Sequence, residues 1–207
     1  RSVVDNISKF DRQTYSIIEC LLPAGSEVEF PDYTYFFGDI NNPVDYINNT
    51  VFRNMKFYGN FYMNNLKKIN DYEFENSVFQ GYFRAQNVES VGQYSFTNSK
   101  FIGNLNLPKC TVIRDQAFKN SKFTGNCNLP VCEYIDYNAF YYSVFTGDFN
   151  CPNLQTVGET AFYYSVFDGA FECPNLTTVG DNAFRNSVFN GAFNCPNLQA
   201  VGNGAFR

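Results

Sequence analysis

The chain has 207 residues, with 15 Lys plus Arg against 20 Asp plus Glu and a formal net charge of −5. That balance weighs against a duplex nucleic-acid binder, whose affinity rests largely on basic side chains that neutralise phosphates. No apolar run reaches the length of a membrane-spanning helix, and no basic-then-apolar leader opens the chain.

In chain order, residues 1–33 stand apart from the rest. Val3, Ile7, Phe10, Ile17 and Leu21 have roughly helical spacing, Pro23-Ala24-Gly25 breaks it, and Glu27-Val28-Glu29-Phe30 alternates like a short strand. This segment reads as a partly helical N-terminal cap that hides the first apolar face of an array. Residues 34–207 then repeat with a 22-residue period. Phenylalanine holds one register from Phe52 through Phe74, Phe96, Phe118, Phe140, Phe162 and Phe184 to Phe206, and glycine holds another from Gly59 to Gly191. A fixed period of this size is the signature of a solenoid. An imperfect first copy is visible when Gly38, Ile40, Val44, Ile47 and Phe52 are matched to Gly59, Phe61, Leu66, Ile69 and Phe74 with one residue deleted after Ile40. That makes about eight repeats. The chain opens on Arg1 rather than Met and stops in mid-repeat at Arg207, so it reads as a fragment with a truncated C-terminus.

Within the copy Val179–Val201, Phe193 and Cys195 alternate with Ala192 and Asn194, the period-two mark of a half-buried strand, and Pro196 ends it. The segment from Asp181 to Asn186 spaces its apolar residues like a helical or 3₁₀ turn, which Asp181 or Asn182 could cap. Gly191 precedes the strand, where it serves either a positive φ or a close backbone approach. The expected fold is a solenoid with one short parallel strand per repeat and helical or 3₁₀ turns on the opposite side.

Seven cysteines occupy repeat registers, except Cys20. Cys151, Cys173 and Cys195 share one and Cys110 and Cys132 another, where other repeats carry Leu, Val, Met or Ala; Cys127 falls on a strand. They read as small buried hydrophobes. No C-x₂-C pair and no histidine exist to build a zinc site, so neither metal nor cofactor is expected. The absence of histidine also removes Ser-His and Cys-His nucleophile pairs. Asp148 and Glu172 lie close enough on adjacent strands for a formal carboxylate pair, but nothing around them suggests a tuned acid. No enzymatic activity is expected.

Candidate binding residues fall in two groups. Outward strand positions run from an aromatic and basic end, Tyr62, Tyr82 and Arg84, into a polar strip of Asn104, Asn106, Asn126, Asn128, Asp148 and Asn150. The strip can bind peptide or sugar hydroxyls, or its residues can bond one another along the solenoid. The pair Tyr141-Tyr142 repeats as Tyr163-Tyr164, where flanking copies have Lys119-Asn120 and Arg185-Asn186. Four tyrosines on adjacent repeats can make an aromatic surface of the kind that anchors interfaces, or half of them can pack inward against their neighbours and leave the rest as ordinary surface. No Lys or Arg lies between Lys122 and Arg185, and that stretch carries seven acids, read as a solvated flank or a patch for a cationic partner. Asn6-Ile7-Ser8, Asn48-Asn49-Thr50 and Asn175-Leu176-Thr177 match the N-glycosylation pattern.

The turn V-G-x-x-A-F, seen as Val157-Gly158 with Ala161-Phe162 and as Val179-Gly180 with Ala183-Phe184, together with strands ending at Pro108, Pro130, Pro152, Pro174 and Pro196, resembles leucine-rich repeats of the BspA-like class over about residues 36–207. Three features depart from the usual form: the 22-residue period, Phe in place of many Leu, and Phe184-Arg185-Asn186-Ser187 where the class has F-x-x-C. The resemblance implies a non-catalytic recognition or adhesion module on a cell surface or in secretions, binding a protein or glycan without membrane insertion. The alternative is an intracellular, cytoplasmic interaction scaffold or effector domain. Fold analogy alone does not decide between them.

Overall fold

A computed structural model describes residues 35–36, 39–42 and 52–207. The capping segment read at residues 1–33, Cys20 and the Asn6 and Asn48 glycosylation patterns lie outside the described residues. The rest is a right-through stack of rungs. Each full rung contributes three two- or three-residue strands, for example Val144–Phe145, Phe149–Asn150 and Thr156–Val157. Each pairs in parallel with the strand 22 residues away, as in Val144↔Val166, Phe149↔Phe171 and Thr156↔Thr178. Among the described residues the result is three parallel sheets of eight, eight and seven strands. Ile40–Asn42 pairs with Phe61–Met63 at an offset of 21, so the one-residue slip of the first copy falls after Asn42.

Two details of the expected repeat are corrected. There are three strands per rung, not one. The two further strands are pairs such as Val-Phe and Thr-Val, too short for alternation to reveal. The arc from Gly158 to Ser165 is a turn and not a helix, and the described residues contain no helix. Its hydrogen bonding shows why. Local bonds such as Tyr141 N–H to the Asn138 carbonyl and Ser143 N–H to the Phe140 carbonyl alternate with bonds to the next rung. Asn138, Phe140 and Tyr142 donate to the carbonyls of Glu159, Ala161 and Tyr163. Asn138 and Tyr142 hold φ of 53° and 58°, which turns every second N–H along the solenoid axis and prevents a helical ladder.

The core is built of ring columns. Phe52 to Phe206 form one unbroken stack with centroids 4.9–5.3 Å apart. Phe36 to Phe189 form a second, at 4.7–5.1 Å. A third holds Phe61–Phe83 and Phe149–Phe171–Phe193, with Leu105 and Cys127 in the two rungs between. Rings of different columns meet edge to face, the favoured arrangement for aromatic quadrupoles. Cys110, Cys127, Cys132, Cys151 and Cys173 are buried free thiols in this core, and Cys195 is partly buried. Burial pushes the Cys195 thiol up to about 12 and raises the other five as well, apart from Cys132, where the Cys151 hydrogen bond leads and burial follows. Thiols so held are poor nucleophiles.

Two ladders lock the rungs. A Cβ on Gly169 would lie 2.3 Å from the carbonyl oxygen of Gly147, so this register needs glycine for close approach of successive backbones. The buried serines Ser77, Ser99, Ser121, Ser143 and Ser165 occupy the register where the leucine-rich repeat resemblance puts cysteine. The Ser143 hydroxyl donates to the Phe118 carbonyl at 2.7 Å and accepts from the Ser121 N–H at 3.3 Å, and the pattern recurs along the stack.

Candidate functional site

The turn arc carries two left-handed registers. One holds Tyr72, Tyr94, Gln116, Asn138, Thr160 and Asn182; the other holds Asn54, Asn76, Asn98, Asn120, Tyr142, Tyr164 and Asn186. Asparagine tolerates this backbone, and its amides link Asn54, Asn76, Asn98 and Asn120 into a chain at 2.8–2.9 Å. Tyr142 and Tyr164 occupy the same backbone, with φ of 58° and 57°, yet are 47% and 42% exposed.

The four tyrosines singled out by sequence come together. Tyr141 stacks on Tyr163 at 5.3 Å, Tyr142 stacks on Tyr164 at 4.8 Å, and within each rung the two rings meet edge to face at 4.7 Å. Beside them runs a groove of about 450 Å³ lined by Lys119, Tyr137, Asn138, Tyr141, Thr160, Tyr163, Asn182 and Arg185. Lys119, Tyr141, Tyr163 and Arg185 are one register, 22 residues apart, and form one wall. Lys119 Nζ sits 5.7 Å from the Tyr141 ring centroid and donates to Gln116 Oε1 at 3.0 Å. Arg185 Nη1 donates to Asn182 Oδ1 at 3.3 Å. Burial, then the neighbouring phenols, raises the pKa of Tyr141.

Sequence reading passed over Tyr137, 45% exposed at the groove, and the pair Tyr72–Tyr94, stacked at 4.9 Å on the same arc, with Gln116 donating to the Tyr94 hydroxyl. The available signal was register: Tyr72 and Tyr94 are 22 apart.

The strand-face candidates lie elsewhere, on the second sheet. Asn60, Asn104, Asn126 and Asp148 each turn a side-chain oxygen to the backbone N–H of the next rung, at 2.9–3.0 Å. Asn106, Asn128 and Asn150 form an amide chain at 2.7–2.9 Å. Tyr82 is exposed, Tyr62 half-buried, and Arg84 donates to Gln86. A smaller hollow of about 260 Å³ lies among Arg84, Asn106, Pro108, Asn128 and Pro130. The strip is thus engaged with its own ladder. Asp148 and Glu172 are likewise bonded, to Ala170 N–H and to the Asn194 amide.

Six copies of the BspA-type leucine-rich repeat match residues 37–145 and 89–207. The chain belongs to that family. No curated protein matches it, and no solved structure does. Repeats of this family are typically non-catalytic scaffolds that mediate protein binding, often on surface proteins. Among the described residues no group of three or more acid, Cys or His side chains could hold a metal ion, and no helix is long and apolar enough to cross a membrane.

Proposed function

We propose that this chain is a non-catalytic recognition module, displayed at a cell surface or in secretions, that binds its ligand through the tyrosine-bearing turn arc. The observation that carries this reading is the placement of Tyr142 and Tyr164 at positive φ, where the other five rungs have asparagine. That backbone recurs in every described rung and disfavours bulky side chains, so what sets these two rungs apart is the ring carried in place of an amide. Exposed tyrosine offers large contact area with a polar tip, the usual make-up of an interface anchor. The strand face, whose amides are partly engaged between rungs, is the second choice.

The test is an array of glycans and extracellular proteins probed with three forms: the wild-type chain, Tyr142→Asn with Tyr164→Asn, and Asn106→Lys with Asn128→Lys. A saturable ligand lost only in the tyrosine variant supports the arc. Loss only in the lysine variant moves the site to the strand face. A ligand held equally by all three ends both assignments.

A further inference from the structure

Tyr142 and Tyr164 do not stand alone on the outer surface. In each rung the arc runs straight into the first sheet, and burial alternates along it. Ser143 and Phe145 are buried while Tyr142 and Val144 face out, and Ser165, Phe167, Tyr164 and Val166 repeat the pattern. The two outward registers therefore lie side by side, and they change character at the same place. Between the rungs of Asn120 and Tyr142 the arc register passes from amide to ring. Between the same two rungs the sheet register passes from Lys100 and Lys122 to Val144 and Val166. The stack does not demand that coincidence, because the strands pair alike on both sides of it. The product is one contiguous patch of two rings and two aliphatic side chains with a cationic border.

Each half of this surface lacks a counterpart. Lys122 is paired directly with Lys100 on the adjacent strand, where like charges repel. Both are exposed, and among the described residues neither ammonium has a carboxylate within ion-pairing distance. Their neighbours in the adjoining registers are Asn98, Asn120, Ile102 and Thr124, none of them an acid. In the apolar half the rings of Tyr142 and Tyr164 stack on each other at 4.8 Å, with Val144 and Val166 half-buried beside them. Contiguous apolar surface rimmed by polar groups marks a site of protein interaction.

The chemistry of the patch also selects the class of partner. The strands beneath it are interior to the first sheet, so no unpaired edge is open to an added strand. Valine offers neither donor nor acceptor, and a glycan on the apolar half meets two phenol hydroxyls and little else to bond. We propose that this face docks a protein segment that lays apolar side chains over Tyr142, Val144, Tyr164 and Val166 and sets a carboxylate against Lys100 and Lys122. The acid of the adjoining register, Asp168, lies two rungs beyond Lys122 and is bonded to the Asn190 amide at 2.7 Å, so the partner's acid belongs at the lysine end. This assignment rests on the turn arc as the recognition surface and gives it a protein ligand.

The experiment is a selection of phage-displayed random peptides on the immobilised chain, followed by affinity measurements of the enriched peptides on purified variants. Enriched peptides should carry Asp or Glu beside apolar residues. Val144→Thr with Val166→Thr, which keeps the branched shape, should weaken them about tenfold at unchanged Tm. Lys100→Gln with Lys122→Gln should do the same and remove most of the salt dependence. A selection that enriches nothing, peptides without acids, or peptides indifferent to both pairs of substitutions overturns the assignment. A dimer in sedimentation that the threonine variant dissolves gives the face to a second copy, and pelleting with phosphatidylserine vesicles that the glutamine variant loses gives it to a membrane; either result overturns the protein partner. A glycan from the array lost only with Tyr142→Asn and Tyr164→Asn overturns it too, while leaving the arc as the recognition surface. An array ligand that maps to the strand face of the second sheet overturns both.

Discussion

Two neighbouring parts of the turn arc share a backbone and differ in what they carry. From Asn54 to Asn120 the second left-handed register is a chain of amides; at Tyr142 and Tyr164 it is a pair of stacked rings, and at Asn186 it is an amide again. Across that change φ stays between 55° and 60°. The stack therefore sets the backbone, through bonds such as Asn120 N–H to the Tyr141 carbonyl and Tyr142 N–H to the Tyr163 carbonyl, both common to all rungs. Residue choice on the arc is free of that duty. In the core it is not: each internal Phe of the two unbroken columns is fixed by the ring above and the ring below. An unusual residue thus has different meanings on the two sides of the backbone.

The largest expected effect lies in the core. Phe162 stacks on Phe140 and Phe184 at 5.0 Å and meets Phe149 and Phe171 edge to face, fully buried. Phe162→Ala should destabilise the chain by about 3–5 kcal/mol in denaturant titration. A loss below about 1 kcal/mol would mean that the columns are not what holds the rungs together.

Glu73 is the exception inside the core. It is fully buried where the register otherwise has Ser95 and then Ala117, Ala139, Ala161, Ala183 and Ala205. One oxygen accepts the Asn70 N–H at 2.8 Å, and Oε1 has no partner among the described residues. Burial holds its pKa well above the usual carboxylate range. The folded state therefore keeps a proton that the unfolded chain releases above about pH 4.3, and stability falls with rising pH by roughly 1.4 kcal/mol per unit until the folded pKa is reached. Glu73→Ala, which restores the register's own residue, should remove this slope. Its advantage over the wild type should grow from pH 4 to pH 8 in parallel melts. An equal difference at both pH values would mean that Glu73 titrates normally.

How much of this could be read from sequence follows the same division. The 22-residue period, the Phe and Gly registers and the inward cysteines were legible because each repeats a side chain with one structural task. The alternating Phe193-Asn194-Cys195 gave one strand. The other two, of which Val166–Phe167 and Thr178–Val179 are instances, are too short to alternate visibly. The turn was misread as helical because Ala183 and Phe184 have the right spacing, while the left-handed Asn182 and Asn186 that forbid a helix look like ordinary polar residues. The tyrosine quartet was legible as an internal copy. The groove was not, because its walls come from two registers that only the arc's alternating backbone brings side by side, and because Lys119 and Arg185 stand in separate rungs.

The smallest expected effect bears most directly on the two halves of the arc. Replacing Tyr142 with Asn gives up a parallel ring contact and an edge contact, together worth about 1 kcal/mol at an exposed place. It relieves left-handed strain of similar size and offers Asn120 an amide partner like those in the rungs before it. The reverse change, Asn120→Tyr, adds strain and breaks the Asn98–Asn120 link while extending the ring stack by one rung. Both variants should therefore lie within about 1 kcal/mol of the wild type, and only Tyr142→Asn should lose ligand. If Tyr142→Asn instead lowered stability by several kcal/mol, the rings would be holding the arc together, and their placement on a strained backbone would be explained by folding rather than by recognition.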